Sequence, residues 1–371
     1  MAMKNTYRFA RICLFLLLAI VLLLAGRWAV VRIQHHKAYR EAENSMILRI
    51  DRSKLVIEAG DSVSLYDAVT ASGGTLSVSG SVNTDKTGSY PVVYSLRSSD
   101  RYGREILKKR SVIFTVEDTA APVIALKTDN LQIAQGADFN PAGNVAGITD
   151  AVDGPIDQSH WQITSDVNVS QPGTYHVALE ASDASGNTAS ASYQVTVVTP
   201  ASDDHPYLIR VNRAANTVTV YARDASGNYS LPYKAFICST GPATPLGTYQ
   251  TYGQSRWRAL FDNASGQYVT DIVDDILFHS VPYFSESPDD LEYEEYNKLG
   301  TSASLGCVRL QAASARWIYV NCPLGTTVEF YDDAGNPGPF GKPDFQKIDV
   351  SSASRGWDPT DPDPANPWLK S

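Results

Sequence analysis

The sequence has few cysteines and few charged residues. Four cysteines in 371 residues exclude a small scaffold held by disulfides, and no two lie close enough for a zinc site of the usual spacing. Charged residues make up 19% of the chain and the formal net charge is −9, so this balance offers no basic face for a nucleic acid. Hydrophobic residues make up 43%, which is enough for a packed core. The length predicts about two to three domains, and the many Tyr, Gly and Pro residues indicate strands and turns.

One long apolar run stands near the start of the chain. It is uncharged from Ile12 to Gly26, is interrupted by Arg27, and resumes to Val31. This length matches the ~20 residues of a bilayer span if the Arg27 side chain reaches the interface. A cleaved signal peptide is the alternative, but no small-residue cleavage pattern precedes Arg27. We therefore predict a cytoplasmic N-terminus at 1–11, a membrane signal anchor at 12–31 and a linker at 32–47, with the remaining domains outside the membrane and facing the cell wall.

Two segments, beginning at Val82 and Val167, repeat each other at an offset of 85 residues. The shared positions are Asn83 and Asn168, Gly88 and Gly173, and Tyr90 and Tyr175. An alternating strand follows each segment, as is typical of β-sandwiches. The Gly-x-Tyr strand start resembles bacterial Ig-like cell-surface domains, so we predict Ig-like modules at 48–118 and 119–199 that act as spacers. A calcium site at Asp150, Asp153 and Asp157 is a weaker interpretation than ordinary turns.

A third domain is predicted at 205–333, and its chemistry depends on few residues. Cys238 and Cys322 lie in apolar settings typical of small buried side chains, and whether they pair stays open. Cys307 differs because Gly306 before it permits close backbone approach, and Arg309 after it supplies a positive charge that favours thiolate. Cys307 is therefore the candidate nucleophile.

A thiol needs a base, and His279 is the plausible imidazole of this domain. His279 would accept the Cys307 proton and return it to the leaving amine. Ser280 would orient the ring through its carbonyl or its hydroxyl, and the N–H groups of Gly306 and Cys307 would stabilise an oxyanion. On spacing alone, a buried structural cysteine is favoured over this catalytic pair.

The sequence motif around His279 and Cys307 favours catalysis over a structural role for the cysteine. His279-Ser280 followed by Ser304-x-Gly306-Cys307-Val308-Arg309 resembles the L,D-transpeptidase (YkuD-type) family, and Ser239-Thr240-Gly241 with Thr244-Pro245-x-Gly247 resembles that family's upstream loop. The resemblance implies a mostly β catalytic domain that needs neither metal nor cofactor. It implies that Cys307 attacks a tetrapeptide stem of peptidoglycan, and that the acceptor amine of a second stem completes a 3→3 crosslink. It also implies substrate contacts, which we expect at Arg309, Ser304, Tyr283, Thr240 and Gly241.

Alternatives remain. Water as the acceptor would make the protein an L,D-carboxypeptidase. Leu305 stands where the family usually has His, which favours a non-catalytic wall-binding surface protein. The interval between His279 and Cys307 carries an acidic stretch that is either a solvated loop or a lid attracting the acceptor amine. Its carboxylates are Glu286, Asp289, Asp290, Glu292, Glu294 and Glu295.

The last segment, 334–371, is rich in Pro and is expected to be extended or disordered. Trp357 and Trp368 within it would pack back on the catalytic domain or contact glycan. The whole chain is thus predicted to be mainly β, with an N-terminal transmembrane helix, two Ig-like β-sandwich modules and a C-terminal mostly-β L,D-transpeptidase domain. Its expected partners are peptidoglycan stem peptides and the membrane, with no nucleic acid. The oligomeric state is left open.

Overall fold

The computed structural model describes residues 2–370. Residues 1 and 371, which fall in the predicted N-terminal segment and the predicted tail, lie outside it. The chain forms two compact units, Met1–Ala120 and Ala121–Ser371. Apart from the long N-terminal helix, both units are built mainly of strands, so the prediction of a mainly β protein with one long apolar helix is confirmed.

The first unit begins with a single long helix, α1 (Ala2–Ser45). Its part from Ile12 onward contains an 18-residue window with a mean hydropathy of 2.6 and is long and apolar enough to cross a membrane. The predicted linker at 32–47 is wrong, because the helix continues unbroken to Ser45. Good helix formers and the pair Lys37–Glu41, one turn apart at 4.0 Å, support this extension.

The first β-sandwich follows the helix directly. Its strands are β1 (Ile47–Ile50), β2 (Val56–Glu58), β3 (Val69–Ser72), β4 (Thr75–Ser79), β5 (Gly88–Ser99) and β6 (Glu105–Glu117). One sheet pairs β1 with β3, and the other has the order β2-β6-β5-β4. Alternate residues of β5 (Val92, Tyr94 and Leu96) are fully buried, as a strand with one core face requires. Ala38 of α1 and Met46 after it are also buried, so the end of the helix is part of this module.

The second sandwich opens the second unit. Its strands are β7 (Val123–Leu126), β8 (Asn130–Ala134), β9 (Val145–Asp150), β10 (Gly154–Pro155), β11 (Trp161–Ser165), β12 (Gly173–Ser182) and β13 (Thr188–Val198). They form the sheets β10-β9-β7 and β11-β12-β13-β8. Two of the acidic residues considered for calcium accept turn bonds: Asp150 accepts from the N–H groups of Val152 and Asp153, and Asp157 accepts from that of Ser159.

The repeated residues form the same local hydrogen bonds in both sandwiches. The Tyr90 hydroxyl donates to the Lys86 carbonyl, and the Tyr175 hydroxyl donates to the Gln171 carbonyl, four residues back in each case. The Tyr175 ring packs over Gly173, where a Cβ would lie in ordinary van der Waals contact with the ring at 3.5 Å. Both repeated asparagines accept the N–H two residues ahead of them, which is an Asx turn.

The C-terminal part is built on one sheet of nine strands in the order β17-β22-β14-β15-β16-β21-β20-β19-β18. Its elements are β14 (Tyr207–Asn212), β15 (Thr217–Ala222), β16 (Leu231–Ser239), β17 (Gly247–Gln250), β18 (Gly253–Ala259), β19 (Ser265–Val273), β20 (Ile276–Ser280), α2 (Tyr293–Tyr296), β21 (Val308–Leu310), α3 (Ala312–Asn321) and β22 (Thr327–Tyr331). Helix α3 packs against β19 and β20 over a core that includes Phe278, Val308 and Leu310.

The second sandwich and the nine-stranded sheet share a core. Phe340, which follows the sheet in sequence, is 3% exposed and packs inside the second sandwich. A Cβ at Gly143 of that sandwich would lie 2.4 Å from the Phe340 carbonyl carbon. Lys127 donates to the Gly338 carbonyl at 3.0 Å. This packing does not favour an independent spacer role for the second sandwich.

The predicted extended tail is wrong. Residues 334–370 fold back as consecutive turns, and Asp358, Asp361 and Asn366 are fully buried. One Asp358 oxygen accepts the Ala312 N–H at 2.7 Å, which caps the start of α3. Trp368 packs on a cluster that includes Leu291, so its predicted return to the catalytic domain is observed.

Candidate active site

Two neighbouring parallel strands position the candidate catalytic groups. His279 in β20 lies beside Arg309 in β21, with Phe278 opposite Val308 in the same register. Cys307 immediately precedes β21, and this register places it next to Leu277. The Leu277 N–H donates a hydrogen bond to the Cys307 sulfur. The structure therefore brings the predicted nucleophile, base and cation to adjacent strands.

Cys307 is half-buried and protonated in its resting environment. Burial raises the pKa of its thiol, and the Leu277 N–H and the Arg309 charge only partly counter this effect. The Cys307 Sγ donates to the Asp275 carbonyl at 3.3 Å. Within residues 2–370, no hydrogen bond connects Sγ to His279, so proton transfer requires the thiol to leave the Asp275 carbonyl.

His279 is 2% exposed, and its ring is fixed by one short contact. Its Nδ1 lies 2.6 Å from the Ser280 carbonyl oxygen, so Nδ1 carries the proton and Nε2 is the free acceptor. Burial, followed by the charge of Arg309, lowers the pKa of His279 to about 4. The ring is therefore neutral at physiological pH and can act as a base.

Ser280 orients this ring through its carbonyl and not through its hydroxyl. The hydroxyl accepts the Gln267 N–H at 3.0 Å and donates to the Val281 carbonyl at 2.9 Å. The Gln267 side chain in turn donates to the Tyr283 hydroxyl and to a carboxylate oxygen of Asp361. A buried polar network thus supports the strand end that carries His279.

The loop before Cys307 is held by the upstream loop. The Ala243 N–H donates to the Leu305 carbonyl at 3.0 Å, and the Thr244 hydroxyl donates to the Gly306 carbonyl at 2.7 Å. In a trans peptide the N–H points away from the carbonyl. These two bonds therefore set the directions of the Gly306 and Cys307 N–H groups, which are the predicted oxyanion donors. The Thr-Pro-x-Gly motif was identified in the sequence, but the sequence did not show that its threonine supports the nucleophile loop.

The two loops also approach too closely for larger residues. A Cβ at Gly241 would lie 2.0 Å from the Ser304 carbonyl oxygen, and a Cβ at Gly306 would lie 3.2 Å from the Ala243 Cβ. The Ser304 hydroxyl donates to the Cys307 carbonyl at 2.6 Å. Gly241 and Ser304, predicted to contact substrate, therefore have evident roles in packing the loops.

Two further predicted substrate contacts are buried. Thr240 bonds Asn216 through both its N–H and its hydroxyl. Tyr283 is fully buried and accepts from Gln267 at 2.7 Å. Their burial does not favour direct contact with a substrate and indicates support of the site instead.

Arg309 lies at the edge of the site and is held by the acidic stretch. It donates to the Glu295 carboxylate at 2.6 Å and to the Ala303 carbonyl at 3.0 Å. Glu295, in α2, also pairs with Lys298. The stretch packs through the buried residues Leu291 and Tyr296, so it is a folded layer and neither a loose solvated loop nor a free lid.

Two other thiols are structural. Cys238 and Cys322 are buried and free, so they do not form a disulfide. Burial raises the pKa of Cys238 and raises that of Cys322 to about 12. Neither is a competing nucleophile.

Two family models match the chain. Residues 206–330 match the L,D-transpeptidase catalytic domain, and residues 124–197 match the Ig-like domain of bacterial surface proteins. These matches confirm both resemblances inferred from the motifs. The C-terminal sheet is thus an L,D-transpeptidase-type catalytic domain, and the sandwich before it is Ig-like.

The chain is similar to parts of two curated proteins. It is 44% identical over 54 residues to "Putative L,D-transpeptidase YciB" of Bacillus subtilis, covering 15% of this chain and 27% of that protein. It is 29% identical over 156 residues to "Pesticidal crystal protein Cry22Aa" of Bacillus thuringiensis, covering 40% of this chain and 20% of that protein. The matched region therefore spans about a quarter or less of each relative. A solved L,D-transpeptidase from Mycobacterium tuberculosis H37Rv aligns with a TM-score of 0.28 and 16% identity, covering 56% of this chain and 98% of that one.

Proposed function

We propose that the L,D-transpeptidase-type domain of this chain crosslinks peptidoglycan through a thioacyl-enzyme on Cys307. The observation that carries the proposal is the state of His279: buried, neutral, and fixed with Nε2 unprotonated on the strand beside the cysteine. A neutral imidazole with one fixed tautomer is what general-base activation of a thiol requires.

Acylation begins when His279 Nε2 takes the Cys307 proton and Sγ attacks the carbonyl carbon after the third residue of a tetrapeptide stem. The carbonyl oxygen becomes an oxyanion, which the Gly306 and Cys307 N–H groups would stabilise. The C–N bond then breaks, and His279 returns the proton to the departing D-Ala amine. A thioester between the stem and Cys307 remains.

The second stem completes the reaction. Its side-chain amine attacks the thioester carbon, loses a proton to His279, and displaces the thiolate, which regains that proton. A 3→3 peptide bond results, and the enzyme is restored. We expect Arg309 to act on charges near the thiol, because its guanidinium lowers the pKa values of both Cys307 and His279.

The pKa values favour coupled proton transfer over a resting ion pair. The ordinary thiol value of 9.0 is raised at Cys307, whereas the His279 value is about 4. Moving the proton before attack would therefore cost at least ~7 kcal/mol. The neutral pair is the resting state, and the proton moves as the C–S bond forms.

Two alternatives follow from the same site. Water in place of the amine gives an L,D-carboxypeptidase. A wall-binding protein without activity is favoured only by Leu305, which is 67% exposed beside the nucleophile and cannot supply a second imidazole. We further propose that α1 anchors the chain in the membrane, with the later domains on the wall side and a role in cell-wall biogenesis.

Incubation of the purified full-length chain with a disaccharide-tetrapeptide, followed by mass spectrometry, tests the proposal. Crosslinked 3→3 dimers are the expected product, and tripeptide monomers alone would indicate the carboxypeptidase. Cys307→Ala should abolish both products and also the covalent adduct with a carbapenem. An unmodified Cys307 with unchanged substrate would contradict catalysis and favour the wall-binding alternative.

A further inference from the structure

We infer that the β5–β6 hairpin of the first sandwich binds anionic lipid headgroups at the surface of the membrane that α1 enters. This inference rests on the proposed membrane anchor and concerns a part of the chain without a role in the proposed chemistry. The tip of the hairpin has the sequence Ser-Asp-Arg-Tyr-Gly-Arg at 99–104.

The hairpin tip is fixed to the helix just beyond the apolar run. The His35 and Tyr102 rings stack with centroids 3.8 Å apart and an interplanar angle of 13°. Arg104 donates to the His35 carbonyl, and its guanidinium lies 5.2 Å from the centre of the Tyr39 ring. Lys108 donates to the Met46 carbonyl at 2.8 Å. The module is therefore a rigid extension of the helix and does not swing on a linker.

The spacing along the helix places this contact at headgroup depth. Residues 12–31 span ~30 Å, which matches the hydrocarbon thickness of a bilayer. His35 follows the end of this run by four residues, or about 6 Å, and the headgroup layer on each side is roughly 5–7 Å thick. Trp28, with the Arg32 guanidinium 5.1 Å from its ring centre, is the kind of residue that marks this interface. Tyr102, stacked on His35, then lies in the headgroup layer.

The charge of the hairpin suits an anionic surface. Residues 97–110 contain six basic and two acidic residues, for a net charge of +4. One acid, Asp100, is buried against Arg104, and the other, Glu105, lies 3.9 Å from Arg97. Arg101 is exposed, lies over the Tyr102 ring, and forms no ion pair within residues 2–370. The expectation of no basic face, drawn from the total charge, is therefore wrong at this hairpin.

The test measures which lipids surround the tip of the full-length chain in liposomes. A fluorophore is attached at Ser99→Cys, with Thr87→Cys as the control, in a background carrying Cys13→Ser and Cys307→Ser. Positions 99 and 87 stand at opposite ends of β5 and its preceding turn, about 40 Å apart. The liposomes contain a fixed fraction of nitroxide-labelled lipid whose headgroup is either phosphatidylglycerol or phosphatidylcholine.

We expect the label at 99 to be quenched about fivefold more by the anionic lipid than by the zwitterionic lipid, the factor of roughly one basic side chain at such a surface. The label at 87 should be quenched by neither. Arg101→Glu or high salt should reduce the ratio at 99 towards one, whereas Arg101→Lys should preserve it.

The other outcomes contradict the inference at separate steps. Equal quenching of the label at 99 by both lipids would show that the tip reaches the bilayer without selecting anionic lipid. No quenching at 99 in a chain that floats with the liposomes would refute the contact alone. A chain that does not float with them would refute the anchor, and the contact with it. None of these outcomes bears on the proposed chemistry, because that chemistry is assayed separately on the chain that retains Cys307.

Discussion

The pH dependence of Cys307 acylation is the sharpest consequence of the proposed mechanism. The pKa of His279 is lowered from 6.5 to about 4, first by burial and then by Arg309. That lowering corresponds to a preference of ~3 kcal/mol for the neutral ring. The acid limb of kcat/KM for the free enzyme is therefore expected near pH 4 and not near 6.5.

Arg309→Gln isolates the part of this shift that is due to charge. Without the neighbouring cation, the protonated ring is less unfavourable, so the acid limb should move up by about one pH unit. Arg309→Lys should keep the limb near its original position. Glu295→Gln removes the partner of Arg309 but leaves the cation, so an upward shift is not expected there.

The rate of carbapenem acylation between pH 3.5 and 8, followed by mass gain on Cys307, measures the limb directly. Circular dichroism at each pH separates inactivation from unfolding. A wild-type limb near pH 6.5 would refute the lowered pKa and hence the buried neutral base. A limb that Arg309→Gln leaves unmoved would refute the electrostatic role of Arg309.

The remaining predictions concern elements around the site. Thr244→Val should slow acylation by about 10–100-fold, because the Cys307 N–H loses its fixed direction, whereas Thr244→Ser should be near wild type; equal rates for both variants would contradict this. The Asp358 pKa is raised from 3.8 to about 6, so its carboxyl favours the folded state fully below 3.8 and loses this contribution as pH rises through 6. Urea unfolding should therefore show the wild type gaining ~2 kcal/mol over Asp358→Asn between pH 7 and pH 4, and parallel curves would contradict the burial argument. Phe340→Ala should destabilise the second unit by about 3–5 kcal/mol, measured by urea unfolding, whereas the exposed Phe261→Ala should have little effect; a similar small change in both would contradict the shared core.

Features that depend on neighbours in sequence were predictable. In the repeated Gly-x-Tyr start, the tyrosine hydroxyl bonds the carbonyl only four residues back in the sequence. The same short sequence therefore gives the same local structure in both sandwiches. The motif around Cys307 likewise encodes its local turn. The residues between the apolar run and Ser45 are good helix formers, so the extension of α1 could have been predicted. Their polar composition indicated a linker instead.

Features that depend on distant partners were not predictable. The composition of the tail is typical of disorder, and only the fold reveals that Asp358 caps a helix 46 residues earlier in the chain. The charges of the acidic stretch predict a solvated segment. The pairing of Glu295 with Arg309, which contradicts this prediction, cannot be inferred from the sequence. Burial of Tyr283 depends in the same way on tail residues that bond Gln267.

These distant pairs show why the catalytic motif alone does not define the site. The Cys307 loop is held on one side by Thr244 and on the other by Arg309, whose partner Glu295 belongs to the acidic stretch. A domain that kept Cys307 and His279 but lost Thr244 would lose the fixed direction of the Cys307 N–H. A domain that lost Arg309 would lose the positive charge beside its base. Leu305, by contrast, uses only its backbone carbonyl in this arrangement, through the Ala243 N–H, so its departure from the family pattern leaves the loop geometry intact.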